Sequence, residues 1–491
     1  MTSGKMSFAM FVVGFLVYLI AAIARHVWLQ SSAWDLGIFD QAVYLIGRGL
    51  PPYSSLLGFH ILGDHGALVL YPLGWISRYL PSPWLLFVLQ SAALSSVVFP
   101  LAELARLRGL GRTASGVSLV VILLYPVVFN TAIFDFHPEA LAFPLVMQCV
   151  LLLERRAPLD GVWVALNLLL VLTCKLSLFV LVLGFAASLL MQRRWLLAAV
   201  LAGEATVWFG IVGGWLMPAF GGPEASIWRQ ASKFGLESPR AVGLAEPRAL
   251  IAGVGRLGHQ LFSEANVFYL LLLLVPVLYV LLNGRRFAFF GGLLPAAPLV
   301  LMNLVAAISP MKDLVHHYSL MVVPFLASGV QRTLVPGPWG AGSYPRWFQA
   351  KAPLLVLGWS VLIFVVLSRL TFFLGSFQDR LDVMAAVRAV APMVDPQADL
   401  LISNHLAPHF SHRPVIEIVG PDAANLDVDR YRQVLLDHRH PGWNATPELL
   451  AAIRTRLMRS GQWSLRFDQG GLWLWEHRSA DSNRIHTSRQ Q

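Results

Sequence analysis

Charge is what this chain has least of. Only 13% of its 491 residues are Asp, Glu, Lys or Arg, against 56% hydrophobic ones, and mean hydropathy is +0.62, which excludes an ordinary soluble domain. Cysteine is nearly absent too: Cys149 and Cys174 both sit in apolar segments, leaving no disulfide framework and no cysteine-based metal site. No internal repeat is evident. The tail, residues 376–491, lacks lysine and any run long enough to span a bilayer. The net charge of +10 does not call for nucleic acid, because cytoplasmic loops of membrane proteins gather Lys and Arg for topological reasons.

What the chain does have is apolar runs separated by basic turns. Lys5 precedes the run 8–23, and Ala22-Ile23-Ala24 resembles a signal-peptidase site, so cleavage and a retained first span with a cytoplasmic N-terminus both stay open. The next loop lies outside in either case. Within that loop, residues 35–47 and 67–79 have the spacing of helices lying in the membrane interface, the second alternatively re-entrant or spanning. From Trp84 onward, arginines such as Arg106, Arg108, Arg155, Arg193 and Arg332 mark one side at nearly every turn, predicting about eleven spans of roughly 20 residues. The expectation is a polytopic α-helical membrane protein over residues 1–375, with juxtamembrane helices in its first outer loop. A small extracytoplasmic α/β domain follows over 376–491. Its strands are predicted at 400–403, 415–419 and 434–437, a helix at 447–460 led by Thr446, and a hairpin from 463–467 and 472–476. Asn444-Ala445-Thr446 matches a glycosylation acceptor, which matters only in a eukaryotic secretory setting.

Two acidic stretches fall on the outer side, Asp35 to Asp40 and Asp135-Phe136-His137-Pro138-Glu139. Acids at the edge of a span face water, a headgroup or a cation. A site that deprotonates a nucleophile, or holds a divalent cation such as Mg2+ or Mn2+ beside a phosphate, needs such groups. Asp35 and Asp40 are candidate bases; on a helix they project roughly 140° apart, so one of them faces the cavity. Asp35 is preferred because it opens the interfacial helix, although acids there also serve as caps. Asp135, His137 and Glu139 alternate, and Pro138 keeps His137 extended and facing away from the two acids. They suit a metal or a phosphate headgroup, or simply cap the following span. Asp35, Asp135 and Glu139 are the candidate metal ligands.

Lys175 is alone between two apolar runs, the only lysine between Lys5 and Lys233. It needs an anion such as a lipid phosphate, or else it snorkels to the interface. His316, His317 and Tyr318 suit a pyrophosphate or a sugar, and equally an interfacial aromatic belt. His65 shares the first outer loop with His60 and Asp64. In the tail, His405, His409 and His412 have metal-like spacing, but Pro408 intervenes and no carboxylate completes a set.

These residues carry a resemblance. Asp35-Leu-Gly-Ile-Phe-Asp40-Gln41, His65 ahead of Tyr71-Pro72, Asp135 to Glu139, His317-Tyr318 before Pro324-Phe325, and Asn404 to Arg413 resemble an uncharacterised bacterial family of polytopic membrane proteins within the GT-C glycosyltransferase superfamily. The resemblance covers most of the chain, and the first and third motifs are the specific ones. It implies a protein of the bacterial inner membrane that takes a sugar from a polyprenyl-phosphate carrier and passes it to an extracytoplasmic acceptor. Asp35 or Asp40 would be base or metal ligand, and Asp135 and Glu139 would assist. The chain departs from the family at Lys175-Leu176-Ser177, where Lys-Glu-Asp is frequent. A lipid or solute transporter or flippase, or a non-catalytic envelope assembly protein, is the competing expectation.

Overall fold

A computed structural model describes residues 3–225, 232–235, 255, 258–283, 286–335, 344–349, 351–420, 427–442 and 445–478. Asn444 and most of the second long outer loop lie outside the described residues. Among those described, five helices are long and apolar enough to cross a membrane: Gly4–Val27, Trp84–Leu107, Trp195–Gly221, Glu264–Leu282 and Ala352–Ser376. A pair bent by 46°, Arg112–Leu123 and Pro126–Ile133, makes a sixth if it is one span. The bend has a local cause. Pro126 opens the second helix and holds Tyr125 extended (φ −65°, ψ 123°), which interrupts the hydrogen-bond ladder. The shorter apolar helices Asp160–Cys174, Leu176–Met191 and Leu294–Leu304 account for much of the rest of the helical chain.

Two compact units result, one formed by Met1–Ala21, Leu62–Val69 and Phe87–Arg369, the other by Ala22–Ile61, Leu70–Leu86 and Leu370–Gln491. In the first unit, three helices are entered through short 3-10 turns. Pro138–Ala142 leads into Phe143–Arg155, Leu176–Leu178 into Phe179–Met191, and His317–Val322 into Val323–Leu334. Away from those turns, Arg108 ties two of the same helices together. Its guanidinium donates twice to Glu154, at 2.6 Å each, and to Ser328 O and Oγ at 2.6 and 2.8 Å. With the arginine side chain only 5% exposed, this forked pairing is both geometrically specific and weakly screened.

The second unit is built on a five-stranded sheet: β1 Leu400–Ile402, β2 Ile416–Ile418, β3 Gln433–Asp437, β4 Trp463–Gln469 and β5 Leu472–His477, in the order β2-β1-β3-β5-β4. β1 runs parallel to β2 and β3, whereas β5 is antiparallel to β3 and β4. Leu401, Val434, Leu436, Trp473 and Trp475 form a core with Leu450, Ile453 and Leu457 of the helix Pro447–Ser460. That helix begins at Thr446, whose side chain accepts from Leu449 N, and ends at Gly461 in the left-handed region (φ 65°). The juxtamembrane helices Ile38–Gly47 and Leu70–Ile76 pack closely on one another. A Cβ on Gly74 would run into the Ile46 side chain, so the close approach depends on glycine.

Candidate active site

Gln90 sets the geometry of the first unit's acidic turn. Its Nε2 donates to Asp135 O at 2.6 Å and Thr131 O at 3.1 Å, and its Oε1 accepts from His137 N at 2.8 Å. Asp135 takes a left-handed conformation (φ 69°), which Asp tolerates better than most residues. The chain then enters the 3-10 turn that carries Glu139, which is 4% exposed.

The three 3-10 lead-ins converge here. Glu139 Oε1 accepts from Lys175 Nζ at 2.6 Å and lies 2.8 Å from His317 Nε2, which is itself 3.1 Å from Lys175 Nζ. The His137 ring lies 4.0 Å from that of His317, and the His317 ring 4.4 Å from that of Tyr318. Lys175 is held on the extended backbone between the helix Asp160–Cys174 and its 3-10 neighbour, which explains why a lone lysine follows an apolar run. Glu139 is the anion that the sequence did not place beside it.

Burial and charge compete in this cluster, and charge wins for the ion pair. Burial alone would push the Glu139 carboxyl up, but the neighbouring His317 and Lys175 hold it well below its usual range. Burial alone would depress Lys175, and Glu139 reverses that. The imidazoles go the other way. Burial takes His317 down to about 4, against the pull of Glu139, and holds His137 well below its ordinary value. At neutral pH the cluster is therefore a buried carboxylate–ammonium pair beside two uncharged rings.

A cavity of about 310 Å³ opens at this cluster. Lys175, Lys233, Tyr318, Asp64 and His65 supply its polar wall, and Leu176, Phe179, Phe209 and Met302 belong to its apolar one. Lys175 Nζ lies 5.2 Å and Lys233 Nζ 6.0 Å from the centre of the Tyr318 ring. An ammonium has three protons. Two of those on Lys175 point to Glu139 and His317, which leaves the third for a group in the cavity. His65 pairs with Asp64 at the same wall.

The other expected site residues lie elsewhere. His316 Nδ1 meets Asp313 at 2.8 Å, and the same carboxylate accepts from Val315 N and His316 N, so His316 belongs to a local turn and does not line the cavity. Asp35 and Asp40 belong to the second unit. Asp35 is half-buried in the turn Ala33–Gly37. Asp40 is fully buried; Ser411 Oγ donates to its Oδ2, and His412 Nε2 lies 3.3 Å from its Oδ1. For a metal ion, the described residues offer no group of three or more His, Cys, Asp or Glu side chains. Glu139, the best placed of the proposed ligands, already meets a lysine, so this donor set does not fit a divalent cation.

Sequence reasoning missed Gln90 and Lys233. An amide within an otherwise apolar run, 1% exposed, was the available signal for Gln90; Lys233 stands in a long polar loop that offers none.

Fold and site together define a multi-pass membrane protein of the GT-C-like helical class, with a small C-terminal sheet region. The chain belongs to the family described as "Predicted membrane protein (DUF2079)", whose model matches residues 25–474. Among solved structures, it is similar to the crystal structure of ArnT from Cupriavidus metallidurans bound to undecaprenyl phosphate. The TM-score is 0.55 at 12% identity, covering 97% of this chain and 98% of that one. The apo state of the same protein gives a TM-score of 0.52 at 14% identity, covering 94% and 98%. At these identities the likeness shows the fold alone. No curated protein matches the chain in sequence.

Proposed function

We propose that the protein is a membrane glycosyltransferase that moves a sugar from a polyprenyl-phosphate carrier to an acceptor on the extracytoplasmic side. The observation that carries this reading is the cavity itself, a largely apolar pocket with two lysines beside Tyr318. Apolar walls suit a prenyl chain, and the free donor of Lys175 together with Lys233 suits its phosphate. That an ArnT of the same fold binds undecaprenyl phosphate supports the assignment.

In this mechanism the acceptor hydroxyl oxygen attacks the anomeric carbon and the bond to the phosphate oxygen breaks. The lipid phosphate leaves with the electron pair, and the anomeric centre inverts. Since a phosphate is a good leaving group, the protein mainly positions and neutralises. We assign the hydroxyl proton to Asp35 rather than Asp40, because Ser411 and His412 already occupy the Asp40 carboxylate. The short apolar helices complete a bundle of about eleven crossings in the cytoplasmic membrane. The N-terminus lies inside and the C-terminal domain outside.

Reconstituted protein supplied with polyprenyl-phosphate sugars and envelope acceptors tests this by mass spectrometry of lipid and glycan. Wild type should release free polyprenyl phosphate as product appears, Lys233→Gln should weaken donor binding, and Asp35→Asn should abolish transfer while donor binding persists. Saturable flux of a solute with no product formed would instead establish the transporter.

A further inference from the structure

The second unit contains a cavity of its own, about 210 Å³, lined by His26, Leu29, Trp84, Met384, Arg388 and His409, with Val27 and Val387. Two of its walls are the ends of spans, since Val27 closes the helix Ser3–Val27 and Trp84 opens Trp84–Ser96. Arg388 is exposed on the helix Leu381–Val390. No carboxylate lines the cavity, and none pairs with Arg388 among the described residues. The His409 ring stacks on that of His26, with centroids 4.1 Å apart and planes at 19°, and its Nε2 has no hydrogen-bond partner among the described residues. His26 is braced in turn by Ser31, with Nδ1 3.2 Å from Oγ.

An arginine and an unpartnered imidazole nitrogen, with no acid facing them, form a wall that lacks an anion. A half-turn of the His409 ring about its Cβ–Cγ bond preserves the ring plane, and therefore the stack, while moving Nε2 to a new direction. Trp84 and Val27, 42% and 38% exposed, supply apolar surface at the end of each span, the depth at which phospholipid headgroups lie.

We infer that this cavity binds a phosphate-bearing anion, presented by a lipid headgroup at the ends of the two spans and held by Arg388 and His409. The site is separate from the Lys175 cavity and does not depend on sugar transfer.

The full chain in phosphatidylcholine nanodiscs, titrated with phosphatidylglycerol and followed by native mass spectrometry, tests the inference. Wild type should retain phosphatidylglycerol. Arg388→Gln should weaken retention by about tenfold or more, and Arg388→Gln with His409→Asn further still. Arg388→Lys, which keeps the charge, should retain most binding, and Lys233→Gln should leave it unaltered. Competition by millimolar inorganic phosphate would support the anion site and make free phosphate its source; absence of competition would support the lipid. Equal retention in wild type and both Arg388→Gln variants would overturn the inference.

Discussion

Glu139 and Asp40 invite comparison. Each is a buried carboxylate, 4% and 0% exposed, and each meets a histidine. Glu139 has a lysine as its first partner, and that lysine also lines a cavity with a proton to spare. Asp40 has a serine hydroxyl and a half-exposed histidine, both from the segment just after the turn Asn404–His409, and its oxygens are used up within the fold. A buried acid is thus no sign of chemistry by itself. What marks a site is a polar group left over once the internal hydrogen bonds are counted, and only the first network has one. The second fastens the tail segment to the helix Ile38–Gly47.

The sharpest way to break this contrast is to remove the ion pair. Lys175→Met leaves the Glu139 carboxylate buried without its cation, which should cost about 3–5 kcal/mol, and Glu139→Gln should cost a similar amount by stranding the ammonium. The double variant should recover most of that stability while still failing to bind donor phosphate. Thermal melts of the four proteins in detergent give the coupling. Costs that simply add would mean that the two groups do not form a pair.

The neutral His317 ring gives the next largest effect. Its folded pKa, about 4, lies below the ordinary value of about 6.5. As pH falls, the unfolded chain therefore takes up a proton before the folded one. Stability present above pH ~6.5 should be lost progressively down to pH ~4 and then level off, by about 3 kcal/mol at most. Melts of wild type and His317→Asn over that range measure the difference. Parallel curves would show that no depressed imidazole is there.

What the sequence could show of this depended on how local the cause was. The helix Pro447–Ser460 appears with the predicted bounds, because a Thr cap and a closing glycine act within one turn. The strands differ from expectation only at their ends. The spans were harder to read, since prolines such as Pro126, Pro138 and Pro324 break long apolar runs into short helices and 3-10 lead-ins. Glu139, Lys175 and His317 each stood out singly, yet Lys175 is 36 residues from Glu139 and 142 from His317, and no spacing rule joins them. Likewise Ser411 reaches Asp40 across 371 positions, so its occupation of that carboxylate was invisible before the fold was known.

That contact offers a smaller test of the same contrast. Ser411→Ala removes the hydroxyl that donates to Asp40 and should cost about 1–2 kcal/mol, because one buried acceptor loses a partner. Sugar transfer and donor binding should be unaffected, since this network lines no described route to the Lys175 cavity. A loss of transfer with normal stability would show that the second network takes part in the chemistry.

The smallest effect has the most informative sign. Burial would depress His412, but the hydrogen bond and charge of Asp40 outweigh it and raise its pKa, and the ring stacks on Tyr44 at 4.8 Å. A raised folded pKa means that the stabilisation is fully present below the unfolded value of about 6.5 and disappears as pH rises through the folded value. With 40% of the His412 side chain exposed, solvent screening limits the effect to about 1 kcal/mol or less. Hydrogen exchange over residues 404–413 should therefore quicken as pH rises past ~7 in wild type, after correction for intrinsic exchange, and stay level in His412→Gln. This slope opposes that of His317, so the two networks should weaken at opposite ends of the pH scale. If protection of both falls together on acidification, His412 is not a charged partner of Asp40, and the distinction between a closed network and an open one must rest on the Lys175 cavity alone.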